Sequence, residues 1–482
     1  MQNRRDQLQA HLFVVGRLVS GLVRGEPDAP ETPMRRSTTS TFAGVMVAVI
    51  AVAGFAVFGL IRPGGSKAFR EPGTIIVEKE TGSRFMLIDG LLRPVLNAAS
   101  AKLLAGSSGQ VRSVSARSLA GIAHGSPVGI PGAPDALPGP ANQSFGPWLI
   151  CSPQGTDATG VKRPVVTLAV GSNTAVSGLP TDQGVLVTNP DGTAYLAWQN
   201  TRLRINSRAA LLALGYGTAQ AAPVALGWLN ALPAGPDLQA QQVPGRGGSG
   251  PPVMGLSTRV GQVLAVSGTD GKQDFFLVRQ DGIAPLTRTD AALLLGDPGS
   301  AIAYPDGVVK PIPITAAALA AAPRSSTDAV TPGFPPEPPQ LVNPSAEQRK
   351  VPCVREVFRS AAGPDLQVAF VDPAQVGATG VVAVGPGRDA RAADRVTVPP
   401  GGGLLVQAVP EPNVNTGALF LVNDLGVKYP LPTPDVAGAL GYDVSTAVPV
   451  PAITLSFLPT GPVLDPEAAK QSQPAVPVGS AG

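Results

Sequence analysis

Aromatic residues make up only 5% of this 482-residue chain, and charged residues only 14%. Few large rings are therefore available to fill its cores, which are expected to be small. Histidine occurs twice, as His11 and His124. That excludes a His-rich zinc site and leaves no Ser/His/Asp catalytic set. A GxxxxGK[ST] loop is absent, as is a GxSxG elbow. The nearest stretches to a nucleotide loop are Gly64–Lys67 and Gly268–Lys272, the latter followed by Gln273. Neither has the loop length or the hydroxyl that a Mg²⁺-nucleotide site requires, and both read as turns. Acidic residues are scattered, and the recurrent Asp-Gly pairs sit where hairpin turns need them. No catalytic residue, metal ligand or cofactor site is expected. Net charge is +3. Six arginines and four acids precede residue 37, leaving 30 basic against 29 acidic residues beyond it. With no Lys/Arg cluster interleaved with aromatics, nucleic acid is not an expected partner.

Glycine (57) and proline (52) are abundant instead. Such a composition favours many turns, short strands and several small domains. The dominant stretch is Thr41–Ile61, TFAGVMVAVIAVAGFAVFGLI, with no charge and no Asn, Gln or Pro. About 20 such residues cross a ~30 Å hydrocarbon core as a helix. Arg35 and Arg36 flank its start, which places the N-terminus in the cytoplasm and the body outside, although Arg62 and Lys67 soften the asymmetry. The run is too long and starts too late for a cleaved signal peptide, so a retained anchor is expected.

Before the span, Leu8, Leu12, Val15, Val19 and Leu22 fall on one helical face, and Gly25 and Pro27 end the helix. This amphipathic helix, residues 3–24, either lies on membrane lipid or docks on a cytoplasmic partner. Arg5, Leu12, Val15, Arg17 and Leu22 are the candidate partner contacts. The two cysteines, Cys151 and Cys353, both lie in the body. An even count in an oxidising compartment suggests a disulfide; two buried thiols are the alternative.

The body repeats one pattern four times: a strand, a hairpin, a cap residue, an Ala/Leu-rich helix and a terminal glycine. The hairpin-to-helix segments are Phe85–Gly106, Tyr195–Gly215, Phe276–Gly296 and Phe420–Gly441, with caps expected at Asn97, Asn206, Thr287 and Thr433. Units two and four are followed by similar tails, Pro223–Leu238 and Pro449–Asp465. The expected organisation is a cytoplasmic arm (1–40), a transmembrane helix (41–61) and repeat unit one (62–140). A first central segment (141–182), unit two (183–240), unit three (241–322) and a Pro/Ser-rich linker (323–344) follow. A second central segment (345–398), unit four (399–464) and a flexible tail (465–482) complete the chain. A Cys151–Cys353 bond would join the two strand-rich central segments, with units two and three inserted between them.

The arm RRDQLQAHLFVVGRLVSGLVRGEPDAPETPMRR (Arg4–Arg36), then the span, then GTIIVEKETGSRF (Gly73–Phe85) and LRPVLNAASAKLLAG (Leu92–Gly106) closely resemble the EccB family. These are membrane-core subunits of type VII (ESX) secretion systems of mycobacteria and other actinobacteria. The resemblance covers essentially the whole chain. It implies a membrane-anchored α+β protein with a cytoplasmic amphipathic helix and one transmembrane helix. Its extracytoplasmic region would be elongated, with four small α+β repeats around a β-rich central domain. It implies a single-pass inner-membrane protein, mostly periplasmic, that scaffolds protein export with EccC (the motor ATPase), EccD, EccE and a mycosin protease, and that self-associates. The family's repeats are similar to a phage-lysin cell-wall-binding fold, so a peptidoglycan anchor is the second reading; Trp198, Trp228 and Tyr195 are the few aromatics that such a role would use. Some family members carry an ATPase label, so an enzymatic role stands as the third reading, without a nucleotide loop to support it.

Overall fold

A computed structural model describes residues 4–25, 33–61, 67–107, 109–139, 142–156, 160–269, 271–342, 350–359, 363–376, 381–382, 391–411, 413–414 and 416–473. The chain forms two units, one of residues 1–71, 76–82 and 112–122, the other of residues 72–75, 83–111 and 123–482.

In the first unit the arm is one helix, Arg4–Arg24, closed by Gly25 in the left-handed region (φ 71°). A second helix runs Pro33–Ile61. It starts within the stretch assigned to the cytoplasmic arm, ahead of the expected span, because Pro33 suits a first helical turn and no breaker follows it. Its segment Thr38–Val57 is long and apolar enough to cross a membrane, and none of it is buried by protein. An all-round apolar helix with no covered face suits hydrocarbon, not water. Residues 62–66, RPGGS, whose proline and glycines read as a hinge, lie outside the described residues. Farther on, Lys79 N–H donates to Val114 O, tying residues 76–82 to the strand Val111–Val114.

The second unit is built on a six-stranded central sheet and on hairpin-plus-helix modules. The central order is Asp365–Val371, Val351–Val357, Trp148–Cys151, Thr167–Ala169, Arg395–Thr397, Val381–Val382. Strands from 148–169 and from 351–397 thus share one sheet, although about 180 residues separate them in the chain.

Three further sheets share one connection order. In the first, Gln183–Thr188 pairs antiparallel with Ala194–Trp198, which pairs with Thr201–Ile205. The same hairpin recurs at Val263–Ser267, Gln273–Val278 and Ile283–Leu286, and at Leu404–Val409, Leu419–Val422 and Lys428–Leu431. After the helix, each chain returns and pairs parallel with its own leading strand: Ala222–Pro223, Ile312–Pro313 and Val448–Pro451. A short helix follows each return, at Leu226–Asn230, Ala316–Ala321 and Ala452–Leu455. The tail expected only after units two and four therefore follows unit three as well. Its alanine-rich sequence lacks the aromatic landmarks of the other two. Near the start of the body, Arg84–Ile88 and Leu91–Pro94 form a hairpin leading to a helix at Ala98–Ala105.

Turn chemistry accounts for the hairpins. Asp89 and Gly90 (φ 53° and 76°) and Gln199 and Asn200 (φ 43° and 62°) take the paired positive φ of a tight two-residue turn. Capping is more varied than the sequence pattern suggests. Asn97 accepts from Ser100 N–H, and Thr287 from Asp290 N–H. In unit two the cap is Ser207, one residue beyond Asn206; the Asn206 amide instead donates to Asp237 and Gln239 at 2.9 and 3.0 Å. Thr433 stands at the cap position without a side-chain bond, ahead of Pro434. Gly296 is the last residue of its helix, with Asp297 at the C-cap, and an added Cβ there would fall 2.3 Å from the Ala213 Cβ. Glycine is there to let two helices approach.

Helix packing pairs the modules. Ala99 and Leu103 share a core with Leu421, Val436 and Leu440, and Lys102 Nζ donates to Leu440 O. Leu293 joins the core of Leu196, Leu203 and Leu214. The modules that follow residues 183 and 403 then rest on the central sheet, with Trp148, Ile150, Val354, Trp228, Val406 and Phe457 in one core.

Two segments expected to be loose are fastened. Gln340–Leu341 pairs parallel with the strand Gln183–Thr188, and Phe334 is buried. Tyr216 Oη donates to Pro339 O, as Tyr442 Oη does to Pro138 O, at the equivalent Gly-Tyr of another module. Burial pushes both phenols well above their ordinary range. The tail beyond Asp465 begins with a helix, Pro466–Ala469, and Ala469 is fully buried against the core of Ala99 and Leu440. Residues 474–482 lie outside the described residues.

Asp290 is the polar anchor of its module. Its carboxylate accepts from the hydroxyls of Thr287 and Thr331, both at 2.6 Å, while only 2% exposed. Asp290→Ala strands both hydroxyls and is expected to cost about 2–3 kcal/mol, read as a lower urea midpoint, with Asp290→Asn in between.

Candidate functional site

The sequence nominated two kinds of site residue, the cysteines and the arm face. Cys151 and Cys353 face each other in directly opposed positions of neighbouring antiparallel strands. They are disulfide-bonded, with Cα atoms 4.0 Å apart and both side chains fully buried. The bond therefore staples the strand Trp148–Cys151 to Val351–Val357 at the centre of the sheet.

On the arm, Leu12, Val15 and Leu22 are exposed along one helix, together with Leu8, Phe13 and Leu18. Leu22 is 84% exposed. Arg5 is also exposed. Arg17 lies over the Phe13 ring at 5.8 Å. Ser20 is buried, and Gly16, Val19 and Gly21 are half-buried. Apart from Val19, the arm thus keeps its large apolar side chains out.

In the body, the stretch nearest to a nucleotide loop and the aromatic residues have structural roles. Gly268–Lys272 closes a β-hairpin, with Gly268 N–H donating to Lys272 O at 2.7 Å. A phosphate-cradling loop would instead lead from a strand into a helix. Trp228 is fully buried, Tyr195 packs against the central core, and the Trp198 indole donates to Thr181 O at 2.7 Å. His124 packs edge-on against Phe85. Among the described residues no group of three or more His, Cys, Asp or Glu is placed to hold a metal.

Sequence reasoning missed two features. The first is Glu356, 1% exposed, opposite Trp148 in the central sheet. Its Oε1 accepts from Thr454 Oγ1 at 3.3 Å. Its Oε2 and the indole N–H groups of Trp148 and Trp228 have no hydrogen-bond partner among the described residues. Burial pushes the carboxyl up to about 8, with the Thr454 bond opposing. Strand alternation was the available signal, since Val354 and Glu356 share the inward face.

The second is a cleft of about 950 Å³ where the central sheet meets the short helices Leu226–Asn230 and Ala452–Leu455. Gly227 lets these parts approach: a Cβ there would lie 2.7 Å from Val166 Cγ2 and 3.0 Å from Phe457 Cε1.

The family model described as type VII secretion system ESX-1, transport TM domain B, matches residues 2–478. The chain belongs to the EccB family. The ESX-3 secretion system ATPase EccB3 of Mycolicibacterium smegmatis is 32% identical over 481 residues, spanning 95% of this chain and 89% of that protein. The ESX-2 secretion system ATPase EccB2 of Mycobacterium tuberculosis is 29% identical, spanning 98% and 96%. Among solved structures, a chain of an intact ESX-5 inner membrane complex superposes with TM-score 0.67 at 25% identity, covering 99% of this chain and 96% of that one. A chain of the periplasmic assembly from the ESX-5 inner membrane complex gives 0.67 at 27% identity, covering 86% and 99%. The EccB3 dimer from the ESX-3 core complex gives 0.66 at 27% identity, covering 82% and 99%. This EccB chain is accordingly a core subunit of an ESX-type inner-membrane secretion complex, with one helix near its N-terminus, among the described residues, that is long and apolar enough to cross a membrane.

Proposed function

We propose that this EccB is the scaffold through which a cytoplasmic secretion machine is tied to an extracytoplasmic assembly. The observation that carries the proposal is the pairing of an exposed apolar arm face with a large disulfide-stapled body, on either side of one bare apolar helix. In this reading the arm lies in the cytoplasm and the body in the periplasm. Arginines at 35 and 36 favour that orientation, and so does a disulfide that an oxidising compartment preserves. Arg5, Leu12, Val15, Arg17 and Leu22 hold the arm on its neighbours, for which EccC, EccD and EccE are the candidates; a mycosin protease is the candidate on the body's side. Solved relatives include a dimer and a periplasmic assembly, which supports self-association of the body. The body is read as four copies of one module, of which the shared strand order and the recurring Gly-Tyr anchor are the traces.

The relatives bear the name ATPase. The nucleotide-like stretch in the body is a hairpin turn here, so the scaffold reading places energy conversion in another subunit.

Deleting residues 2–24 tests the arm. The variant is expected to reach the membrane at wild-type level but to be lost from the complex on native purification. Co-purification of all subunits at wild-type yield would refute the docking role. Leu12→Glu with Leu22→Glu should reproduce the loss.

A further inference from the structure

Four short helices, Ala116–Leu119, Leu226–Asn230, Ala316–Ala321 and Ala452–Leu455, are each entered from a strand. Their N-caps are Ser115, Ala225, Thr315 and Pro451. Two residues before the cap, the last three have proline: Pro223, Pro313 and Pro449. The first has Ser113. Each proline lies on a strand that pairs parallel with its module's leading strand. Val224 N–H donates to Thr188 O and Ile314 N–H to Ala265 O, both at 2.9 Å, so Pro223 and Pro313, one residue earlier, face away from the ladder. Pro449 has no N–H to give, so Val448 and Val450 bond inward and it too faces out. A proline there removes the donor that a further strand would use, which is how natural sheets blunt an edge.

The strand Val111–Val114 carries no such block. Gln110 O accepts from Ile75 N–H at 2.8 Å, and Val114 O accepts from Lys79 N–H at 2.9 Å. Strand alternation then turns the backbone groups of Val111 and Ser113 outward, where they have no hydrogen-bond partner among the described residues. Residues 111–113 are exposed. The end of the strand is fixed, because Glu80 Oε2 accepts from Ala116 N–H at 2.9 Å. An exposed edge with free donors, held in place, is a template for another strand.

We propose that this edge pairs antiparallel with the same edge of a second copy of the chain. The inference rests on the self-association proposed above and gives it a surface. The strand suits its own copy. A two-fold axis at Ser113 sets that residue opposite its counterpart, the two exchanging both N–H···O bonds. Val111 then opposes the counterpart of Ser115, and Arg112 that of Val114, so like charges are not directly opposed. The contact is short, and anchorage of both copies in one membrane assists it by raising their effective concentration.

The test uses the full-length protein in membranes. Cys151 and Cys353 are buried and bonded to each other, so an introduced thiol reacts alone. Hydrogen-bonded residues opposed in antiparallel strands have Cα atoms about 5.5 Å apart, within reach of a disulfide. Oxidation of Ser113→Cys should give a reducible dimer, while Pro313→Cys, at the equivalent place in another module, should stay monomeric. Ser113→Pro, which transplants the block, should lower the dimer fraction severalfold in polymer nanodiscs, read by mass photometry, with a thermal melt matched to wild type. Absence of the Ser113→Cys dimer, an equal yield from Pro313→Cys, or an undiminished dimer fraction in Ser113→Pro would overturn the edge pairing while wild-type dimers leave self-association standing. A wild type that is monomeric throughout would overturn both.

Discussion

Glu356→Gln is expected to stabilise the body at neutral and mildly alkaline pH and to remove a component of its pH dependence. The carboxyl is buried in the central core, opposite Trp148 and touched by Thr454, and its pKa stands near 8 against 4.5 for the free group. Desolvation causes the shift, and among the described residues no cation is placed to offset the lost hydration. The sign follows from proton counting. Between about 4.5 and about 8 the folded chain holds the proton while the unfolded chain has released it. The unfolded state therefore binds fewer protons, and stability falls as pH rises through this window, then levels off. The loss across the window is on the order of 3–5 kcal/mol, an upper bound because a relaxing site admits water. Glutamine keeps the shape and the bond to Thr454 without the charge. Urea unfolding of wild type and Glu356→Gln from pH 5 to about pH 9 should give curves that converge at the acid end and diverge at the alkaline end. Parallel curves would show that the carboxyl does not titrate as its burial requires. Glu356→Lys, which replaces one buried charge by another of larger volume, should fail to fold stably.

Loss of the disulfide should have the other large effect. Cys151 and Cys353 close a loop with a sequence separation of 202 residues. On the chain-entropy account such a loop is worth about 3–5 kcal/mol, because an uncrosslinked unfolded chain regains the freedom the bond denied it. Both residues sit opposite one another in a sheet that is hydrogen-bonded on either side of them. The native arrangement therefore persists without the bond, and the change is one of stability and not of fold. Cys151→Ala with Cys353→Ala should show wild-type circular dichroism at low temperature, a clearly lower guanidinium midpoint, and faster cleavage within the central sheet on limited proteolysis. The insertion, residues 183–342, has its own cores around Leu203 and Val263 and should resist longest. A midpoint equal to wild type would mean that the unfolded chain is already as compact as the crosslinked one.

How much of this was legible beforehand differs from element to element. The arm helix, the span and the hairpins were readable because their causes are local. An apolar run of about 20 residues has one stable form in hydrocarbon, and Asp89-Gly90 carries its own positive φ. Even there, local rules erred by small amounts. The helix containing the span starts at Pro33, and Ser207 caps where Asn206 was expected. The pattern of Thr287 and Gly296 marked both ends of a helix; Gly296 is its last residue, and the cap falls one residue later, at Asp297. Gly296 answers to Ala213 of a helix in another module, which no spacing within its own segment reveals. The cleft was invisible for the same reason: Arg163, Arg202, Arg391 and Leu226 come from four separate stretches of chain.

By itself, then, the sequence determined a single membrane anchor, an amphipathic arm, a repeated strand-hairpin-helix unit and, through family resemblance, membership in a secretion core. Turn, cap and hydrophobic-period rules act within about ten residues, so these features needed no tertiary context. The tertiary structure decided the rest: Leu103 beside Leu440, Leu293 beside Leu203, the docking of Ala469, the burial of Glu356 and the opening of an arginine-rimmed cleft. The Ala/Leu-rich helices carry nearly identical apolar faces, and such faces record that they must be covered without recording by what. Only the folded chain, in which each face competes for the others, selects the partners.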